Sequence, residues 1–133
     1  GMETDNAKKA EMAYATAAAL WQAKKLSQAR TYAQKAISFN ENYGEPYILL
    51  AQMYGSNPNW SDEPALNRCT YYVVIDKLQR AKAVDPSVTD KVNELIATYA
   101  RHTPQAKDLF MLGYKAGDRI TIGGWIGEST TIR

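Results

Sequence analysis

Apolar positions recur at helical spacing through most of the chain and change to strict alternation only near its end. Val88, Val92, Leu95, Ile96 and Tyr99 return every three or four residues, as one face of an α-helix does. Ala29, Ala33, Ala36 and Ile37 form an apolar stripe of small side chains after a turn around Lys24 to Leu26. Thr103-Pro104 opens a shorter helical segment with Leu109, Phe110 and Leu112, and Gly113 is placed to end it. After Gly117-Asp118 the period drops to two, with Ile120, Ile122 and Ile126 on one face and Thr121 and Trp125 on the other. That pattern predicts a hairpin pairing Arg119-to-Ile126 with Ser129-to-Arg133 across a two-residue turn at Gly127-Glu128. Gly123-Gly124 marks either a bulge or a close backbone approach. A lone hairpin is marginal in water, so it must dock on the helices or pair with another chain.

The segment Gly44 to Tyr54 sharpens this picture. Tyr47, Leu50, Ala51 and Tyr54 occupy the spacing W-x2-L-G-x2-Y, which resembles the first helix of a tetratricopeptide repeat. Stepping back by about 34 residues, the length of that repeat, reaches Ala13, with Thr16, Ala17 and Leu20 in the equivalent slots. The stripe Ala29, Ala33, Ala36 then resembles the second helix, with Ala33 where the family favours Phe. In the second repeat, Leu78, Ala81 and Pro86 take the second-helix slots. Tyr47 and Pro86 lie 39 positions apart, against about 28 in the family, so about 11 residues are inserted. The insert near 55–64 is rich in Pro, Gly, Asn and Ser and reads as an exposed loop displaying Trp60, before a lengthened helix from about Pro64 to Ala83. Asp85-Pro86 combines a cap with a first-turn proline, and Val88 to Tyr99 resembles the closing helix of a repeat stack.

The ending, with Gly113-x3-Gly117-Asp118 and Ile122-Gly123-Gly124-Trp125-Ile126-x-Glu128-Ser129-Thr130-Thr131-x-Arg133, is similar to the close of a group of tetratricopeptide proteins of Bacteroidetes-type bacteria. The resemblance implies a mainly α fold: antiparallel helix pairs in an α-α superhelix, with a small C-terminal β-hairpin. Residues 1–9 would be a flank, 10–99 the repeats and closing helix, and 100–133 a short helix and hairpin packed on the same domain. It favours the periplasm or cell envelope over the cytoplasm. Gly1 ahead of Met2 reads as an expression remnant, so the native start is not visible.

Composition narrows the function classes. The chain has 133 residues, of which 45% are apolar and 23% charged, which suits one folded domain and excludes a disordered or collagen-like class. Net charge is +2, with basic residues scattered among acids and no run longer than Lys8-Lys9 or Lys24-Lys25, so nucleic-acid binding is not expected. No apolar run is long enough to cross a membrane. Lys8-Lys9 before Met12 to Leu20 mimics a signal peptide, but Glu3, Asp5 and Glu11 sit where a leader is basic.

Reactive chemistry has few candidates. Cys69 is alone, which precludes an intrachain disulfide, and is expected to be a small packing residue. His102, the single histidine, has no pairing motif and reads as a solvated loop residue. Gly117 to Gly127 lacks the Gly-Lys-Ser/Thr ending of a phosphate loop, and the acids near helix starts lack calcium-loop spacing. Neither enzyme activity nor a cofactor or metal is expected.

Binding of a protein or peptide is what the resemblance implies. First helices line the concave face of such stacks, which puts Tyr14, Ala18 and Trp21 at i, i+4 and i+7, then Ile48 and Gln52, toward a ligand. These are mostly apolar, with none of the Lys, Arg and Asn by which family members hold a terminal carboxylate. An apolar peptide segment anchored on Trp21 and Tyr14 is therefore expected, with Trp60 or Trp125 as a second surface. The alternative is a structural end of a longer envelope protein that self-associates as a homodimer through its hairpin edge, its groove filled by the Leu109-Phe110 helix, the Trp125 hairpin or further repeats upstream.

Overall fold

The computed structural model describes residues 1–133, apart from the side chain of Glu3. It is mainly α with a small C-terminal hairpin. Seven α-helices, α1 (Met2–Gln22), α2 (Leu26–Phe39), α3 (Glu45–Ser56), α4 (Pro64–Arg68), α5 (Thr70–Val84), α6 (Thr89–Ala100) and α7 (Ala106–Met111), precede strands β1 (Arg119–Thr121) and β2 (Ser129–Thr131). A single 3-10 turn, Pro86–Val88, joins α5 to α6.

The long helices alternate in direction and pack as neighbours. A three-residue turn reverses the chain between α1 and α2, which meet through buried alanines, Ala10, Ala13 and Ala17 on one and Ala29, Ala33 and Ala36 on the other. Side chains this small let helix axes approach closely. Lys24 sits in that turn at φ 62°, and its N–H donates to the Trp21 carbonyl at 2.8 Å while Lys25 N–H reaches back to Leu20 at 2.9 Å. These are the paired bonds of a helix end closed by a left-handed residue.

Helix α3 is the centre of the core. Tyr47, Leu50, Ala51, Met53 and Tyr54 are buried, as are Val73, Val74, Leu78 and Ala81 on α5, against which it packs. Full burial of a side chain such as Leu50 or Leu78 stabilises by about 1.5–3 kcal/mol. Asp85, just past α5, ties the two helices: one carboxylate oxygen accepts the Gly44 N–H at 2.9 Å and the other the Ser87 N–H at 3.1 Å. The Ser87 hydroxyl bond holds the Asp85 carboxyl below its ordinary range, the Gly44 and Ser87 N–H groups add to this, and burial opposes it. Helix α6 then runs alongside α3 in the same direction, since Lys91 meets Glu45 near their starts at 3.0 Å and Tyr99 lies against Gly55 near their ends.

The tail docks on this frame. Helix α7 ends where Gly113 adopts φ 91°, with Gly113 N–H bonded to Phe110 and Tyr114 N–H to Leu109. In the antiparallel hairpin Arg119 faces Thr131, Ile120 faces Thr130 and Thr121 faces Ser129. Ile120, Ile122 and Ile126 are buried, as the alternation predicts, together with Ile132.

Four expectations change. Residues 2–9, expected as a flank, are helical and continuous with α1, which is therefore longer than the expected pattern requires; its early turns carry too few large apolar residues to announce themselves. The helix expected from Pro64 to Ala83 is interrupted at Cys69, where the N–H of Cys69 bonds three residues back to Leu66. The inserted loop is shorter than 55–64, because α3 runs to Ser56. The hairpin does not turn at Gly127-Glu128: Ile122 N–H bonds to the Glu128 carbonyl at 2.8 Å, closing a wide loop across 123–127.

Candidate functional site

The face expected to bind runs along α1 and α3. Tyr14, Ala18 and Trp21 are half-buried on α1, and Gln52 is half-buried on α3. Ile48 departs from expectation: at 1% exposure it is core, not surface. At one end of the face the Tyr14 ring meets Tyr43 edge-on at 5.6 Å. Burial, then the Glu45 carboxylate, push the Tyr14 phenol above its ordinary pKa, while Lys91 opposes them. At the other end Trp21 walls an open cleft of about 430 Å³ with Lys24, Leu26, Ser56 and Asn57. The arrangement offers an aromatic anchor beside a space of side-chain size, with a polar rim.

The two tryptophans expected as a second surface, Trp60 and Trp125, are both half-buried and both also contact other parts of the fold. Trp60 lines an open cleft with Asn59, Ser61 and Asp62, while its indole N–H donates to the Leu66 carbonyl at 3.1 Å, its backbone N–H donates to the Asn67 side-chain oxygen at 2.9 Å, and its ring lies against Gly123. A Cβ at position 123 would stand 2.9 Å from Trp60 Cε3, so Gly123 marks a close approach. Trp125 meets Tyr54 edge-on at 5.3 Å. An exposed-loop reading of 55–64 missed this because the partner lies some sixty positions further along.

A polar cluster that sequence reasoning missed entirely sits beside Trp125. The buried Tyr54 hydroxyl donates to Glu128 Oε2 at 2.6 Å and accepts from Arg30 Nε at 2.8 Å. Lys77 Nζ lies 2.7 Å from Glu128 Oε1, and Arg30 lies 3.8 Å from Oε2. Burial, followed by the bond to Glu128, pushes the Tyr54 phenol far above its ordinary value, and Arg30 opposes this. One carboxylate from the hairpin thus joins α2, α3 and α5. Nearby, Thr130 donates to Asp76 at 2.7 Å, and Arg133 pairs with Asp76 while lying over the Tyr72 ring. The only sequence signal was the location of Glu128 in a glycine-rich ending.

The reactive candidates find ordinary settings. Cys69 is fully buried, and burial pushes its thiol up to about 11, which leaves little nucleophilic thiolate near neutral pH. His102 is exposed and packs on the Tyr71 ring at 5.1 Å. Among the described residues, no group of three or more His, Cys, Asp or Glu is placed to hold a metal ion, and no helix is long and apolar enough to cross a membrane. Comparison with protein families, curated proteins and solved structures returned no match.

Proposed function

We propose that this chain is a non-catalytic protein-binding module, a short tetratricopeptide-like stack closed by its own tail, that takes an apolar peptide segment on its first-helix face. The observation that carries the reading is a division of labour between faces. The tail's polar contacts run to Arg30 on α2, Asp76 and Lys77 on α5 and the hydroxyl of Tyr54. Tyr14, Ala18, Trp21 and Gln52 keep partly exposed side chains, and the cleft beside Trp21 stays open. Alternating helices with α3 and α6 parallel also fit such a stack, as does Tyr54 buried at its expected slot. Trp21 is the anchor: a half-exposed indole beside a cleft is the kind of group that dominates peptide interfaces.

The test is affinity capture from a lysate of the source organism with wild-type protein and Trp21→Glu, alongside thermal unfolding of both. A partner retained by the wild type alone, at matching melting temperatures, supports the proposal. Equal captures, together with a marked fall in the melting temperature of the variant, mean that Trp21 is core and that the chain fills its own groove.

A further inference from the structure

A second apolar surface lies on the tail, away from the Trp21 cleft. Helix α7 buries Leu109 but leaves Phe110 73% and Met111 83% exposed, side by side on a helix of six residues. They border a groove of about 470 Å³ whose walls include Tyr114 and Ile132, between α7 and the strand β2 end of the hairpin. Adjacent exposed aromatic and thioether side chains bordering a groove are the kind of surface that can serve as a contact site.

The charge around the groove specifies what fits. Lys107 and Lys115 line it, both are exposed, and neither has an ion-pair partner among the described residues. The third cation in the lining, Arg133, is already paired with Asp76. No carboxylate side chain contributes to the lining. Asp118, the acid closest in sequence to Lys115, turns its Oδ2 to the backbone N–H of Lys115 at 2.9 Å. The lysine stems can lie along the apolar walls while their ammonium groups remain at the edge.

We infer that the α7 groove is a docking site for an acidic, apolar peptide segment of a partner protein, its apolar side chain seated against Phe110 and Met111 and its flanking carboxylates on Lys107 and Lys115. The volume accommodates one or two large side chains, and an opening at the surface suits a peptide passing across it. Opposite charge at the rim sets register and rejects basic sequences.

The experiment is an NMR titration of the ¹⁵N-labelled full chain with three probes: an end-blocked Asp-Leu-Phe-Leu-Asp peptide, its counterpart with both acids replaced by Lys, and sodium decanoate. The acidic peptide is expected to shift the amides of Ala106 to Met111 and of Lys115 and Ala116. The Lys107→Glu/Lys115→Glu variant, distant from the core, should keep the wild-type spectrum elsewhere and bind at least about tenfold more weakly. Raising salt from about 0.1 M to about 1 M should weaken binding in the wild type. Equal binding of the basic peptide, no shift with the acidic one, or shifts at these amides from decanoate alone would overturn the inference. So would protein-concentration-dependent shifts at the same amides without any peptide, which would assign the groove to a second copy of the chain.

Discussion

Glu128 is the residue whose removal most sharply tests how the tail is held. Replacing it with Ala deletes the 2.6 Å bond from the Tyr54 hydroxyl and the 2.7 Å pair with Lys77, and leaves Arg30 and Lys77 facing each other without a counter-charge. A charge-assisted bond from a buried donor is worth about 1.5–3 kcal/mol. The Glu128 side chain is 23% exposed, so the ion pair is partly screened and adds about 1 kcal/mol at most. A loss of about 3 kcal/mol is therefore expected. At an unfolding entropy of about 2.1 cal/mol/K per residue, this lowers the melting temperature by about 10 °C. Thermal unfolding followed by circular dichroism reads the shift. Trp fluorescence reports whether Trp60 and Trp125 leave their seats first. Tyr54→Phe should cost less, because Glu128 keeps Lys77, and the double variant should show a coupling of about 1 kcal/mol or more. A Glu128→Ala melting temperature within about 2 °C of wild type, or additive effects of the two substitutions, would refute the claim that this cluster clamps the tail.

Other consequences follow from single positions. Gly123→Ala should destabilise by about 1–3 kcal/mol in urea unfolding, since the new methyl meets a ring held by the Trp60–Leu66 bond; the same change in a Trp60→Leu background should be close to neutral. Lys24→Gly should raise stability by up to about 1 kcal/mol, because Lys24 occupies φ 62° at a helix end where glycine is unstrained; a lower urea midpoint would contradict this. The Cys69 thiol is raised from 9.0 to about 11 by burial, so the folded state holds its proton longer than the unfolded chain. Its contribution is complete below about pH 9 and is lost as pH rises through about 11. Cys69→Ala should make the alkaline fall in stability shallower without abolishing it, because the raised Tyr14 and Tyr54 phenols also titrate there, and native Cys69 should resist a thiol reagent at neutral pH until the protein unfolds.

Local signals were legible in the sequence, and long-range ones were not. Asp85 caps as its neighbour Pro86 suggests, Gly113 ends α7, and the alternation of Ile120, Ile122 and Ile126 predicts their shared burial, because each depends on residues a few positions away. The spacing of Tyr47, Leu50, Ala51 and Tyr54 marks a helix that is buried at all four positions. Ile48 is core and not groove because α3 is buried on nearly every side, and an amphipathic pattern overstates the open face of a central helix. The Glu128 cluster was hidden for another reason: Tyr54 and Glu128 are 74 positions apart, and no local pattern shows that a turn carboxylate will meet a buried phenol. Trp60 against Gly123 is the same case.

The most direct test of the binding face is site-specific photo-crosslinking from Gln52. A benzophenone side chain there, half-exposed on the α3 face, is irradiated in a lysate of the source organism, with the same group at the exposed Thr98 on α6 as control. Proposed binding on the first-helix face predicts an adduct with another protein from position 52, absent at position 98 and lost when Trp21→Glu is added. An adduct from position 52 that joins only peptides of residues 104–133 of the same chain would contradict it, and would show the face to be occupied by the protein's own tail.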